Sequence, residues 1–214
     1  MEENTFSKEP YKIQPLIDLA LLSLNFSRIS RRTYHEDGLR EESDSDHTVM
    51  LGFIACSFAK EYAPHLDLGK VAQLSLVHDL VEVYAGDTMT GKIQDTSEIE
   101  TKKEREHAAF LRIEKEFGKT LSWIPETIAS YESLETKEAR FVKTMDKVLP
   151  KITHLLNNGT VFTEEQMNRK YVTAFHKDQY EKMSQSYAKD QPEALALYRA
   201  FSEIIAESLF KDEK

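Results

Sequence analysis

Along most of the chain, apolar residues recur in steps of three and four with polar residues between them, a period that predicts helices. From Pro10 to about Ser27 they fall at Ile13, Leu16, Ile17, Ala20, Leu21 and Leu24, one face of a first helix. Residues 28–46 lose the period and predict a polar loop of mixed charge. A structureless connector of that length is unusual, and such loops are often functional. Ser43 and Ser45 are candidate N-caps for a second helix that carries Val49, Met50, Phe53, Ile54 and Phe58 and stops at Pro64. A third helix is expected from Leu68 to Tyr84, closed by Gly86, followed by a loop over residues 87–97. Glu98 to Phe117 reads as a charged helix with a stripe at Ala108, Leu111 and Ile113, and His107 on its solvated face. Pro125 suits the first turn of the next helix. Glu138 to Leu156 carries a stripe at Phe141, Met145, Val148, Ile152 and Leu155, and Asn157-Asn158-Gly159 breaks it. Two further helices are expected over 163–187 and 191–210. With no repeat and no alternating strand, the expected fold is all-α: one domain over residues 1–214, a bundle of about eight helices.

Composition sharpens this picture. Only 7 Gly and 6 Pro in 214 residues leave little material for tight turns, which favours long helices. A net charge of −9 argues against a general nucleic-acid partner, because phosphate backbones are gripped by dense Lys and Arg. A small anionic substrate needs only one local cationic site, so it stays open. The single Cys56, in the apolar run Phe53-Ile54-Ala55-Cys56, allows no internal disulfide framework and reads as a buried, inert thiol. Met1-Glu2-Glu3-Asn4 lacks the apolar core of a signal peptide. The Leu16–Leu24 stretch is broken by Asp18 and Ser23 and falls far short of the ~20 residues of a membrane span. A cytoplasmic protein with no membrane partner is expected.

The third helix carries the most informative chemistry. Leu74, Leu76, Val77, Leu80, Val81 and Val83 are spread around it, and a helix apolar all round is a buried helix. The same segment contains His78, Asp79 and Glu82, spaced so that all three point roughly one way. Buried carboxylates need compensation, and a divalent cation supplies it for several at once. His47, near the start of the second helix, and Asp146, between the apolar Val142 and Leu149, can add ligands from other helices. Pro150 lies four residues beyond Asp146, where its ring meets the Asp146 carbonyl and can re-aim that residue. Each residue alone has an ordinary reading: His47 a helix-start histidine, Asp146 a paired core carboxylate, the four together a metal-free polar network. Two imidazoles in the set tilt the choice of ion toward a transition metal over magnesium.

These residues resemble the HD-domain metal-dependent phosphohydrolases and, among them, the 5′-deoxynucleotidase branch. The pattern is a His, an adjacent His-Asp pair and a distant Asp, here His47, His78-Asp79 and Asp146. Its surroundings match too, in Glu42-Ser43, Asp46-His47, Leu76 to Glu82, Gly86-Asp87, Tyr131-Glu132 and Glu138 to Lys143, so the likeness spans about residues 15–160. Residues 161–214 would then be helices packed on that core. The resemblance implies hydrolysis of a nucleoside 5′-monophosphate at a divalent ion, manganese or cobalt before iron, nickel, zinc or magnesium, in a homodimer. It implies Glu82 as the water-activating carboxylate, Asp87 near the sugar, and Arg31 with Tyr34 as phosphate and nucleoside contacts. Tyr34 stands where relatives carry tryptophan, and Asp87-Thr88-Met89-Thr90 lacks their usual proline; both changes lie at the substrate end. A phosphodiesterase, a nucleoside triphosphate hydrolase and a non-catalytic metal- or nucleotide-binding module are the alternatives on the same scaffold.

Overall fold

The structure, a computed structural model, describes residues 13–87 and 96–211. In chain order it forms α1 (Ile13–Phe26), β1 (Ser30–Tyr34), β2 (Glu41–Ser43), α2 (Asp44–Tyr62), α3 (Leu68–Val77) and α4 (Glu82–Ala85). Then follow α5 (Thr96–Phe117), α6 (Trp123–Ser133), α7 (Lys137–Leu156), α8 (Thr160–Glu164), α9 (Arg169–Gln185) and α10 (Pro192–Ser208). The fold is all-α: among the described residues eight helices have ten residues or more, and α4 and α8 are one-turn pieces.

α7 organises the bundle. Its buried face of Phe141, Val142, Met145, Val148 and Leu149 meets Leu51, Ala55 and Ala59 of α2, Val71 and Leu74 of α3, and Ala194, Leu195 and Tyr198 of α10. A second cluster joins Leu22 and Phe26 of α1 to Val77, Leu80 and Val81, and to α5 and α6 through Ile113, Phe117, Ile124 and Ile128. A third, of Val161, Phe162, Val172, Ile205 and Phe210, binds α8, α9 and α10.

Residues 28–46 are not a structureless loop. β1 and β2 pair antiparallel, with Ser30 opposite Ser43 and Tyr34 opposite Glu41. Their sequence lacks hydrophobic alternation because the residues that turn inward are polar: Arg31 reaches Asp44 and Asp79, and Thr33 Oγ1 donates to the buried Glu42 at 2.7 Å. At the hairpin tip Gly38 has φ +69°, and a Cβ there would sit 2.6 Å from Thr160 Oγ1, so both backbone and space call for glycine.

The expected third helix is broken. α3 ends at Val77, and the chain closes with tighter bonds, Leu80 N–H to the Val77 carbonyl at 3.1 Å and Glu82 N–H to the Asp79 carbonyl at 2.8 Å, before α4 begins. The segment is not buried all round, since Leu76 is 53% exposed. Two apolar faces also differ from expectation. In α1, Leu22 and Phe26 go inward while Leu16, Ile17, Leu21 and Leu24 stay exposed. In α5, the buried line is Ala109, Ile113 and Phe117; Ala108 and Leu111 face outward, as does His107. Cys56 is half-buried rather than fully buried. The Pro10 start of the first helix and most of the 87–97 loop lie outside the described residues. No helix among the described residues is long and apolar enough to cross a membrane.

Candidate metal centre

Three separate pieces of backbone deliver the site. His47 sits one turn into α2, whose start is fixed by a capping box: Ser43 Oγ accepts the Asp46 N–H (3.1 Å) and Asp46 Oδ2 accepts the Ser43 N–H (2.9 Å). Of the two candidate caps, Ser43 is the one used. His78 and Asp79 occupy the tight turn between α3 and α4, so the break in the helix aims them together. Asp146 projects from the middle of α7, which continues through Pro150 to Leu156.

The four side chains converge. Each of His47, His78, Asp79 and Asp146 offers one ligand atom within 4.8 Å of all the others, and His47, His78 and Asp146 are buried. His47 Nε2 lies 3.0 Å from Asp146 Oδ1; His78 Nε2 lies 3.0 Å from Asp79 Oδ2 and 3.8 Å from Asp146 Oδ1. The His78 Nδ1 is 2.9 Å from the Ser75 carbonyl, to which it can only donate. Its Nε2 then carries a lone pair, aimed at carboxylate oxygens that also carry lone pairs. That arrangement requires a proton or a cation in the middle, and this donor set of two imidazoles and two carboxylates fits a divalent metal ion. The Ser75 contact is the orienting bond such a ligand needs.

Electrostatics point the same way. Burial, helped by Arg31, lowers His47 to a pKa of about 4, so it is neutral and able to ligate. Burial opposes charge on Asp146, but Lys147, whose Nζ is 2.9 Å from its Oδ2, and His47 hold the carboxyl well below its usual range. For Asp79, burial is likewise outweighed by His78 and Arg31, and the carboxyl is lowered. Burial lowers His78, yet Asp79 overcomes it and the imidazole binds its proton more tightly than usual. That proton occupies the place of a cation.

A second acidic group, Asp44, Asp79 and Glu82, adjoins the first. Arg31 Nη1 bridges it, 3.0 Å from Asp44, 2.7 Å from Asp79 and 3.9 Å from Glu82. Glu82 is buried and its Oε2 accepts no hydrogen bond, and burial followed by Asp79 and Asp87 pushes its carboxyl far upward. Asp87, next to Gly86 with φ +74°, lines the same cavity of about 360 Å³. Tyr34 does not line it; its hydroxyl donates to Glu164 of α8 at 2.7 Å. The aromatics in the cavity wall are Tyr131, Phe162, Tyr171 and Phe175.

Several participants escape a reading of the sequence. Asp44, fully buried and raised to about 6 by burial against the pull of Arg31, looks in the sequence like one more charge in a polar run. Glu42, buried with one unpartnered oxygen, is equally inconspicuous. Lys143, Lys147, Lys151 and His154 also line the cavity. Their spacing of four, four and three is the available signal, but a cationic stripe opposite an apolar one ordinarily marks a solvated face.

The HD domain family (HD_3) matches residues 26–194. The chain therefore belongs to the HD-domain family, the metal-dependent phosphohydrolases its sequence resembles. No curated protein matches it. Among solved structures, it is similar to a protein from Magnetospirillum magnetotacticum MS-1 described as a predicted metal-dependent phosphohydrolase. The two are 23% identical over 93% of this chain and 95% of that one, with a TM-score of 0.73. A conserved hypothetical protein from Pyrococcus furiosus is 22% identical, with 86% and 99% covered and a TM-score of 0.58. A protein from Pyrococcus horikoshii OT3 is 19% identical, with the same coverage and a TM-score of 0.56. At these identities the likeness is one of fold.

Proposed function

We propose that the protein is a phosphomonoesterase that hydrolyses nucleoside 5′-monophosphates, deoxynucleotides foremost, to nucleoside and inorganic phosphate. In this reading His47, His78, Asp79 and Asp146 hold one divalent ion, manganese or cobalt by preference. The ion supplies Lewis acidity, polarising the phosphoryl group and making water a better nucleophile. The observation that carries the reading is Glu82, a buried carboxylate beside the ligand cluster whose Oε2 accepts no hydrogen bond. A site that only bound metal or nucleotide would have no use for it.

With a cation held beside Asp79, one of the charges that raise Glu82 is offset, and its ionised carboxylate accepts the proton of the attacking water as the new P–O bond forms. The bond from phosphorus to the sugar oxygen breaks, and that oxygen leaves with a proton from solvent or from Glu82. Arg31 offsets the charge that gathers on the phosphoryl oxygens, while Asp44 and Asp79 hold its guanidinium in place. Asp87, farther along the same wall, is assigned to the sugar.

The test is phosphate release from deoxy- and ribonucleoside monophosphates, with triphosphates and cyclic nucleotides alongside. Manganese, cobalt or magnesium is returned to chelator-stripped protein, and Glu82→Gln runs in parallel. Metal-dependent release from monophosphates, reduced about 10²-fold or more in Glu82→Gln, is expected. Release from triphosphates or cyclic nucleotides alone would overturn the monophosphatase reading.

A further inference from the structure

The cavity does not stop at the acidic cluster. It runs on along one face of α7, lined in turn by Lys143, Asp146, Lys147, Pro150, Lys151 and His154. Steps of three and four keep all six on one side of the helix. Lys147 has a carboxylate partner in Asp146. Lys151 has none: it is only 3% exposed, and no hydrogen bond or ion pair reaches its ammonium among the described residues. Its neighbour is the Tyr198 ring, 4.0 Å away. Beside it, His154 and His176 each leave Nδ1 buried and unpartnered. Phe162, Tyr171 and Phe175, from α8 and α9, line the same cavity.

A buried lysine with no carboxylate partner holds its proton only where an anion joins it, and otherwise sheds it. Among the described residues the face of the Tyr198 ring returns part of the cost of burying that charge, and no carboxylate returns the rest. Burial and Lys147 both drive proton affinity at Lys151 down, and no carboxylate lies near enough to raise it. His154 and His176 are likewise held neutral by burial and by Lys151. What this end of the cavity lacks is an anion. Lys151 stands five residues beyond Asp146, roughly 7 Å along the helix axis, which is about the reach across one sugar.

We propose that the Lys151 side of the cavity is a second anion subsite, where Lys151, with His154 and His176, receives a phosphate or carboxylate carried on the leaving group. The inference rests on the phosphohydrolase reading and narrows its substrate. Nucleoside 5′-monophosphates are still hydrolysed, but a 5′-phosphomonoester that carries a second anionic group on its alcohol portion, as a nucleoside 3′,5′-bisphosphate does, is hydrolysed in preference.

Two measurements on the full-length, metal-loaded protein test this. The first compares kcat/KM for a nucleoside 5′-monophosphate, its 3′,5′-bisphosphate and a phosphorylated hydroxy acid. The wild type is expected to favour the doubly anionic substrates about 10-fold or more, through KM. Lys151→Met should collapse that ratio toward one, and Lys151→Arg should keep part of it. Preference for the bisphosphate alone would identify the second group as phosphate, and for the hydroxy-acid ester alone as carboxylate. The second measurement is independent of turnover: inorganic phosphate, followed by phosphorus NMR, is expected at two sites per chain and at one in Lys151→Met. If no monoester is hydrolysed but the second phosphate site depends on Lys151, the hydrolase reading fails and the subsite stands. A substrate ratio and phosphate stoichiometry both unchanged in Lys151→Met would overturn the subsite.

Discussion

Within the metal centre, each side chain's charge is set by its neighbours rather than by its type. Asp44 is fully buried and its ionised form depends on the single bond from Arg31. Asp44→Asn removes that charge and leaves Arg31 with fewer partners. Breaking a buried pair typically destabilises by about 3–5 kcal/mol. Because the fold already raises Asp44 to about 6 and Arg31 keeps Asp79, a loss below that range, about 1 kcal/mol, is expected, read as a shift in urea midpoint. His78 gives a pH test. Its pKa is raised above the ordinary 6.5 in the metal-free fold. The stability this brings is full below the unfolded value and fades as pH rises through the folded one. A metal must displace the same proton, so its affinity moves the other way, falling about tenfold per unit as pH drops below the folded pKa. Metal titrations should therefore weaken as pH falls below the folded pKa of His78, while chelated protein loses this contribution as pH rises through it.

At the scale of elements, the helix caps and breaks decide whether ligands meet. Ser43→Ala removes one of the capping-box bonds that start α2 one turn ahead of His47. A loss of about 1 kcal/mol in thermal or urea unfolding is expected, with weaker metal binding as His47 gains freedom. The long helices were legible because their apolar residues keep the 3.6 period: the α7 stripe of Phe141, Met145 and Val148 is buried as the pattern requires. The hairpin was not, since Arg31, Thr33 and Glu42 turn toward a charged interior and so carry no alternation. The break after Val77 was hidden for a different reason. The apolar run from Leu74 to Val83 suits a continuous helix, and only the Ser75–His78 contact, which depends on folding, marks the turn. The four ligand candidates could be read because a His-Asp pair among Leu and Val is conspicuous. Lys151 could not, because one lysine among many on a helix gives no hint that no carboxylate faces it.

Taken whole, the molecule closes around its site from both ends of the chain. His47 meets Asp146 across 99 residues. Arg32 pairs with Glu165, Tyr34 with Glu164, and Asn157 Nδ2 donates to the Tyr34 carbonyl at 2.9 Å. An ion bridging α2, the α3–α4 turn and α7 binds only the folded arrangement, so it stabilises by mass action. At a hundredfold excess over Kd the gain is about 2.7 kcal/mol. For a chain of this size that is a rise of roughly 5–10 °C in Tm, expected on adding manganese or cobalt to chelated protein and absent in Asp146→Ala. The long span from His47 to Asp146 also bears on how the protein is made. A nascent chain that has emerged only as far as α6 already carries His47, His78 and Asp79, without Asp146 and without the Asn157, Glu164 and Glu165 partners of the hairpin. If these four residues hold one ion, as proposed, the centre closes only when α7 leaves the ribosome, and uptake of the ion would report the moment at which the two halves of the chain have found each other.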